Sequence, residues 1–215
     1  MNTEPVRHER GRGRRVLLIA LLVIALLVLG VVVAVVTPML LHRSAGDSGQ
    51  VIPEGFVAET TADGMDGRER VLAVERSTGG AQDLAELQPG EQLVVTGSGF
   101  DAGIGIYVGI CAIPDAPATR PGPCLGGIPE GAETGDAESG AASAWVTDDW
   151  AWRAFATHRY ENAEEGSFRV TLTVPDPVSD SLDCRVTSCA VATRADHTAG
   201  ADRVQDMLLP VSFAE

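Results

Sequence analysis

Val16 to Val36 is an unbroken run of 21 residues with no charged and no strongly polar side chain. At about 1.5 Å per residue, a helix of that length is roughly 30 Å long, the thickness of a bilayer's hydrocarbon core. The apolar character extends to Leu41, past Pro38. The run therefore predicts one transmembrane helix over 16–41. The flanks give it a direction. Residues 1–15 hold five arginines against Glu4 and Glu9, a net of +3, while residues 42–215 hold eleven arginines against 28 acids, a net of −17. Positive flanks stay on the cytoplasmic side, so the N-terminus is expected inside and the remainder outside. A cleaved signal peptide is the competing reading. Its apolar region runs about 7–15 residues and ends at a small-x-small site. Thr37-Pro38-Met39-Leu40-Leu41 offers none, although Arg14-Arg15-Val16-Leu17-Leu18 faintly resembles a twin-arginine signal.

The charge balance excludes a nucleic-acid binder working through a basic groove. The single apolar run excludes a polytopic transporter. All four cysteines lie outside: Cys111, Cys124, Cys184 and Cys189. An even number in an extracytoplasmic domain reads as two disulfides. Three connectivities are open, with local pairing of Cys111 with Cys124 and Cys184 with Cys189 as the expectation. The C-x12-C and C-x4-C spacings fit a zinc site poorly.

Residues 1–15 are thus expected as a cytoplasmic basic segment, 16–41 as the anchor and 42–69 as a polar linker. Residues 70–215 are expected as one β domain. Arg70–Ser77 and Gln92–Thr96 read as strands on either side of the Pro89-Gly90 turn. Ile104, Ile106, Val108 and Ile110 recur at period 2, predicting a strand with one apolar face. Phe168, Val170, Leu172 and Val174 repeat the pattern, as do Met207, Leu209, Val211 and Phe213. Cys189–Thr193 and, more weakly, Ala144–Thr147 add two more. Short strands, Gly/Pro turns and no amphipathic helix outside the anchor predict an all-β sandwich. Gly126–Ser143 is a low-complexity acidic stretch, expected as a mobile loop. Trp145–Tyr160 gathers all three tryptophans with Phe155, His158 and Tyr160.

Leu87 to Ala112 (LQPGEQLVVTGSGFDAGIGIYVGICA) resembles the second and third strands of the neocarzinostatin-like family, actinobacterial secreted immunoglobulin-like sandwiches. The matching residues are Gly90, Val94, Gly97, Gly99, Phe100, Ala102, Gly103, Tyr107, Val108, Gly109, Cys111 and Ala112. Asp183–Val191 (DCRVTSCAV) shares the family's D-C-x4-C spacing, and LLPVSF its closing strand. The resemblance implies a seven-stranded immunoglobulin-like antiparallel sandwich with the two local disulfides. It also implies a cleft beside the disulfide loops, which in that family binds an enediyne chromophore. The chain departs from the family in its anchor, in a Pro-rich first cysteine loop, and over Gly126–Tyr160. No chromophore-contacting residue is therefore carried over. Thr193–Phe213 more loosely resembles immunoglobulin-like modules of actinobacterial envelope proteins, some of which sit beside haem-uptake domains.

Trp and Tyr are enriched at binding hot spots, so Trp145, Trp150, Trp152, Phe155, His158 and Tyr160 are the candidate contact residues. Trp150-Ala151-Trp152 is expected to place both indoles on one strand face. The alternative is a core plug under a covering loop. Asp196, Asp202 and Asp206 supply oxygen ligands of the kind Ca²⁺ takes, or else cap turns and pair with Arg194 and Arg203. Tyr107, His158, Tyr160 and His197 are the available haem ligands. No G-x-S-x-G elbow and no P-loop is present, and the chain is expected not to be an enzyme. The expectation is a single-pass envelope protein presenting an interaction domain to an envelope protein, with no resident cofactor. A carrier of a small hydrophobic ligand, chromophore-like or haem, is the alternative.

Overall fold

A computed structural model describes the whole chain except residues 1–8, 78–82, 117, 127–140 and 215. Most of the acidic stretch expected as a mobile loop lies outside the described residues. The chain divides into two units, Met1–His42 and Arg43–Glu215.

The first unit is one helix, α1 (Glu9–Leu41, 33 residues), which begins earlier than the anchor expected from Val16. Arginine and glutamate are good helix formers, so the helix starts within the basic segment. Gly13–Leu41 is long and apolar enough to cross a membrane. Large apolar side chains lie exposed from Val16 to Val36. A helix apolar on every side has no polar face to give to water.

The second unit contains eight strands: β1 (Glu59–Asp63), β2 (Glu69–Arg76), β3 (Gln92–Ser98), β4 (Ile106–Ala112), β5 (Ser143–Val146), β6 (Phe168–Thr173), β7 (Cys189–Ala195) and β8 (Met207–Val211). They form two four-stranded sheets, ordered β1-β2-β3-β6 and β5-β4-β7-β8, with every pairing antiparallel. Both sheets supply one apolar core. Leu72, Val74, Leu93, Val95, Phe168, Val170 and Leu172 come from the first, and Ile106, Val108, Ile110, Val191, Met207 and Leu209 from the second. The period-2 apolar sets thus mark the core-facing sides of their strands.

The strand count is eight, not seven, because β1 lies in the segment expected as a linker. Its sequence, ETTAD, buries only Ala62. A strand that buries so little is fixed by backbone pairing to β2, from Glu59↔Ala73 to Asp63↔Glu69, and shows no apolar alternation. The residues before it are also docked. The Ala45 N–H donates to Asp202 (3.2 Å) and the Arg203 N–H to the Gly46 carbonyl (3.2 Å). The Gln50 amide brackets β8, donating to the Leu208 carbonyl and accepting from the Leu208 N–H, both at 2.7 Å. A side-chain amide therefore does the work of a neighbouring strand there.

β4 also differs from the half-buried strand expected, since its outer face is covered too. Cys111 pairs with Cys124, and the chain after β4 turns back to run antiparallel beside the strand's end. The Ala112 N–H donates to Pro123 (2.9 Å), the Leu125 N–H to Ile110 (2.8 Å), and Arg194 Nη1 to the Pro121 carbonyl (2.8 Å). The second bridge joins Cys184 to Cys189. Both pairings are the local ones expected. For the first, with a sequence separation of 13, the chain-entropy contribution is about 3 kcal/mol.

The strand registers sort the connections into two ends. The links 64–68, 99–105, 147–167 and 196–206 lie at one end, together with the docked residues 43–47. Both disulfides lie toward the other. We call the first the proximal end.

Candidate functional site

The aromatic residues cluster at the proximal end, and the structure divides the six candidates. β5 stops at Val146, so Trp150 and Trp152 do not alternate on a strand. The Asp149 carboxylate accepts the Ala151 N–H (2.8 Å), and the Trp152 N–H donates to the Asp149 carbonyl (3.1 Å). This turn sends the two indoles apart. Trp150 is 62 % exposed, Phe155 is 49 % exposed, and Trp152 is half-buried.

Trp145 and Tyr160, named among the contact candidates, are buried. Trp145 Nε1 donates to Asp196 Oδ2 (2.9 Å). The Tyr160 hydroxyl donates to the Ile104 carbonyl (2.9 Å), while its ring meets Phe168 edge-on. Burial pushes the Tyr160 hydroxyl's pKa well above its ordinary value, so it remains a neutral donor. His158 is half-buried with Nδ1 2.9 Å from the Thr157 hydroxyl, and its burial lowers its pKa.

Two residues outside the aromatic segment complete the cluster. His197 Nδ1 lies 2.9 Å from the Tyr107 hydroxyl. The Trp152 ring stands edge-on to His197 at 4.7 Å, and Trp145 meets the same imidazole at 5.3 Å. Asp196, fully buried, holds the group together. One oxygen takes the Trp145 N–H, and the other takes the Thr198 N–H (2.8 Å) and hydroxyl (2.6 Å). Gly105 permits this arrangement, because a Cβ there would stand 2.0 Å from Asp196 Oδ2. Burial, then the charge on Asp196, raises the Tyr107 pKa. The result is a pinned aromatic base from which Trp150 and Phe155 project.

The three aspartates weighed as a Ca²⁺ site do not converge. Asp196 serves Trp145 and Thr198. Asp202 accepts the Ala45 and Val204 N–H groups (3.2 and 2.9 Å). Asp206 pairs with Arg203 (2.9 Å). Among the described residues, no group of three or more His, Cys, Asp or Glu side chains is placed to hold a metal ion.

A cavity of about 310 Å³ lies between residues 47–52, the Pro-rich loop and β8. Asp47, Asp115 and Asp206 stand in its wall with Ser48, Gln50 and Thr119. Ile52, Pro114, Pro121 and Leu208 complete the wall, so the lining mixes apolar and acidic side chains. Burial raises the Asp206 pKa to about 7, against the opposing pull of Arg203.

The proximal end has a second anchor that was not expected from the sequence. Arg70 is fully buried. Its Nη1 and Nη2 donate to the two carboxylate oxygens of Asp66, and its Nε donates to Gln205 Oε1 (3.1 Å). Gln205 Nε2 in turn donates to the Asp101 carbonyl (2.9 Å). One guanidinium thus ties together the turn 64–68, the link 99–105 and the loop 196–206. The Arg70 side chain pulls the Asp66 carboxyl below its ordinary pKa, chiefly through the hydrogen bonds. A signal was present in the sequence: Arg70 stands in phase with Leu72 and Val74, on the face of β2 that is buried.

The chain forms a disulfide-stapled pair of antiparallel sheets following one apolar helix. No family model and no curated protein matches it. Among solved structures, macromomycin is similar at 17 % identity and a TM-score of 0.35, covering 66 % of this chain and 99 % of that one.

Proposed function

We propose that the chain is a single-pass membrane protein of the cell envelope, with its N-terminus in the cytoplasm and its immunoglobulin-like β-sandwich outside. In this reading α1 is an uncleaved anchor and the domain is a binding module, not an enzyme. The observation that carries the binding role is the projection of Trp150 and Phe155 from the turn after β5. Large aromatics supply much binding area at low entropic cost. The chain spends two on a solvated turn whose base is pinned by Trp145, Asp196 and His197.

The test places a photoreactive aromatic residue at Trp150 or at Phe155 in the full chain, expressed in its host. The control position is Val186, 84 % exposed in the turn of the second disulfide. Illumination is expected to give adducts from positions 150 and 155 but not from 186. Equal labelling from all three, or none from 150 and 155, contradicts the reading.

A further inference from the structure

Resting on the anchored reading above, we infer that the partner of this aromatic turn is the lipid interface of the membrane that the chain itself spans. The occupant follows from where the chain enters the domain. Leu41 is the last residue of α1, and Ala45 is already held by Asp202. Four Cα steps separate them, at most about 14 Å of chain. The Gly46 carbonyl accepts the Arg203 N–H, and the Asp47 carbonyl accepts the Met65 N–H (3.1 Å). The links 64–68 and 196–206 are therefore the parts of the domain stitched to its first residues. The link 147–167 shares that end, joined to 196–206 through Trp145, Trp152, Asp196 and His197.

One group of the side chains exposed there suits a bilayer's headgroup layer. Trp150, Phe155 and Met65 (68 % exposed) are the apolar ones. Exposed Arg153 and Arg159 flank the aromatic turn, and exposed Arg68 flanks Met65. Tryptophan prefers the membrane–water interface, and arginine lays its apolar stem along the acyl boundary while its head stays among phosphates. A domain with a net charge of −17 gains no general attraction to an anionic surface, so the combination has to act locally. The same link also carries Asp148, Asp149 and exposed Glu161, Glu164 and Glu165, so the contact is assigned to the 150–159 turn with Met65 and Arg68, not to the whole end. The domain would then rest on the bilayer at its proximal end, with both disulfides directed away from it.

All three tryptophans lie in the domain and none in α1, which makes lipid quenching a direct readout. The full chain is reconstituted in vesicles of phosphatidylcholine and phosphatidylglycerol, the former brominated on its acyl chains. Wild-type emission is expected to be quenched, with most of the quenching lost in Trp150→Phe and weakened in Phe155→Ser. Vesicle flotation is measured on the same samples. A chain that floats while Trp150 is quenched by aqueous iodide and not by brominated lipid keeps its anchor but overturns this inference. A protein partner then becomes the occupant. A chain that does not float overturns the anchor as well.

Discussion

Asp66→Ala is expected to cost the domain about 3–5 kcal/mol, because it strands a buried guanidinium without its counter-ion. Arg70 is fully buried, so water cannot replace the lost carboxylate. Gln205 offers a neutral acceptor on one nitrogen only. Urea denaturation of the detergent-solubilised chain measures the loss, followed by tryptophan emission. The transition midpoint should fall with little change in slope. Replacing the pair together, Asp66→Leu with Arg70→Met, removes the buried charge and should recover a large part of the loss. A single-variant loss under about 1 kcal/mol would place the pair with exposed ion pairs and contradict the role given to Arg70. The pH dependence has a defined sign. The folded Asp66 pKa lies below its ordinary 3.8, so its stabilisation is complete above the ordinary carboxylate range and disappears as pH falls through the lowered value.

Asp206 is expected to act in the opposite direction. Its folded pKa is raised from 3.8 to about 7, by burial first. Arg203 and Arg120 oppose the rise and Asp202 adds to it, while the Ala195 backbone favours the charged form. A raised pKa means that the stabilisation is complete below the unfolded value and declines as pH rises through the folded one. A shift of about three units corresponds to about 4 kcal/mol. The domain should therefore be markedly more stable near pH 5 than near pH 8. Asp206→Asn keeps an acceptor for Arg203 and should flatten the dependence across that window. Urea midpoints at the two pH values, for both proteins, are the measurement. Equal wild-type stability at both, or an unchanged slope in the variant, would contradict the assignment.

What could be read in the sequence follows from which forces leave a periodic trace. Core strands repeat every second residue because a sheet face must be apolar, so β3, β4, β6 and β8 are visible as Leu93/Val95, Ile106/Val108/Ile110, Phe168/Val170/Leu172 and Met207/Leu209. β1 left no such trace, since ETTAD buries one alanine and depends on pairing with β2. The docking of Gln50 on β8 is equally silent, being a single long-range amide contact. At the candidate site, the clustering of aromatics was legible but not its division into buried and exposed side chains. Trp145 and Trp150 differ in role because Asp196, fifty-one residues from Trp145, anchors one indole and leaves the other outside. Tyr107 and His197 joined the cluster for the same reason. Their contacts are set by sheet register, Tyr107↔Arg194 and Tyr107↔Trp145, which composition does not encode.

The central claim is that α1 holds the domain on the outer face of a membrane. Protease treatment of intact spheroplasts expressing the full chain, with tags on both termini, tests it most directly. The account predicts that the C-terminal tag is lost from the outside while the N-terminal tag survives in the membrane fraction after an alkaline carbonate wash. Release of the C-terminal domain into the medium without its N-terminal tag, or recovery of both tags in the soluble fraction, would contradict it.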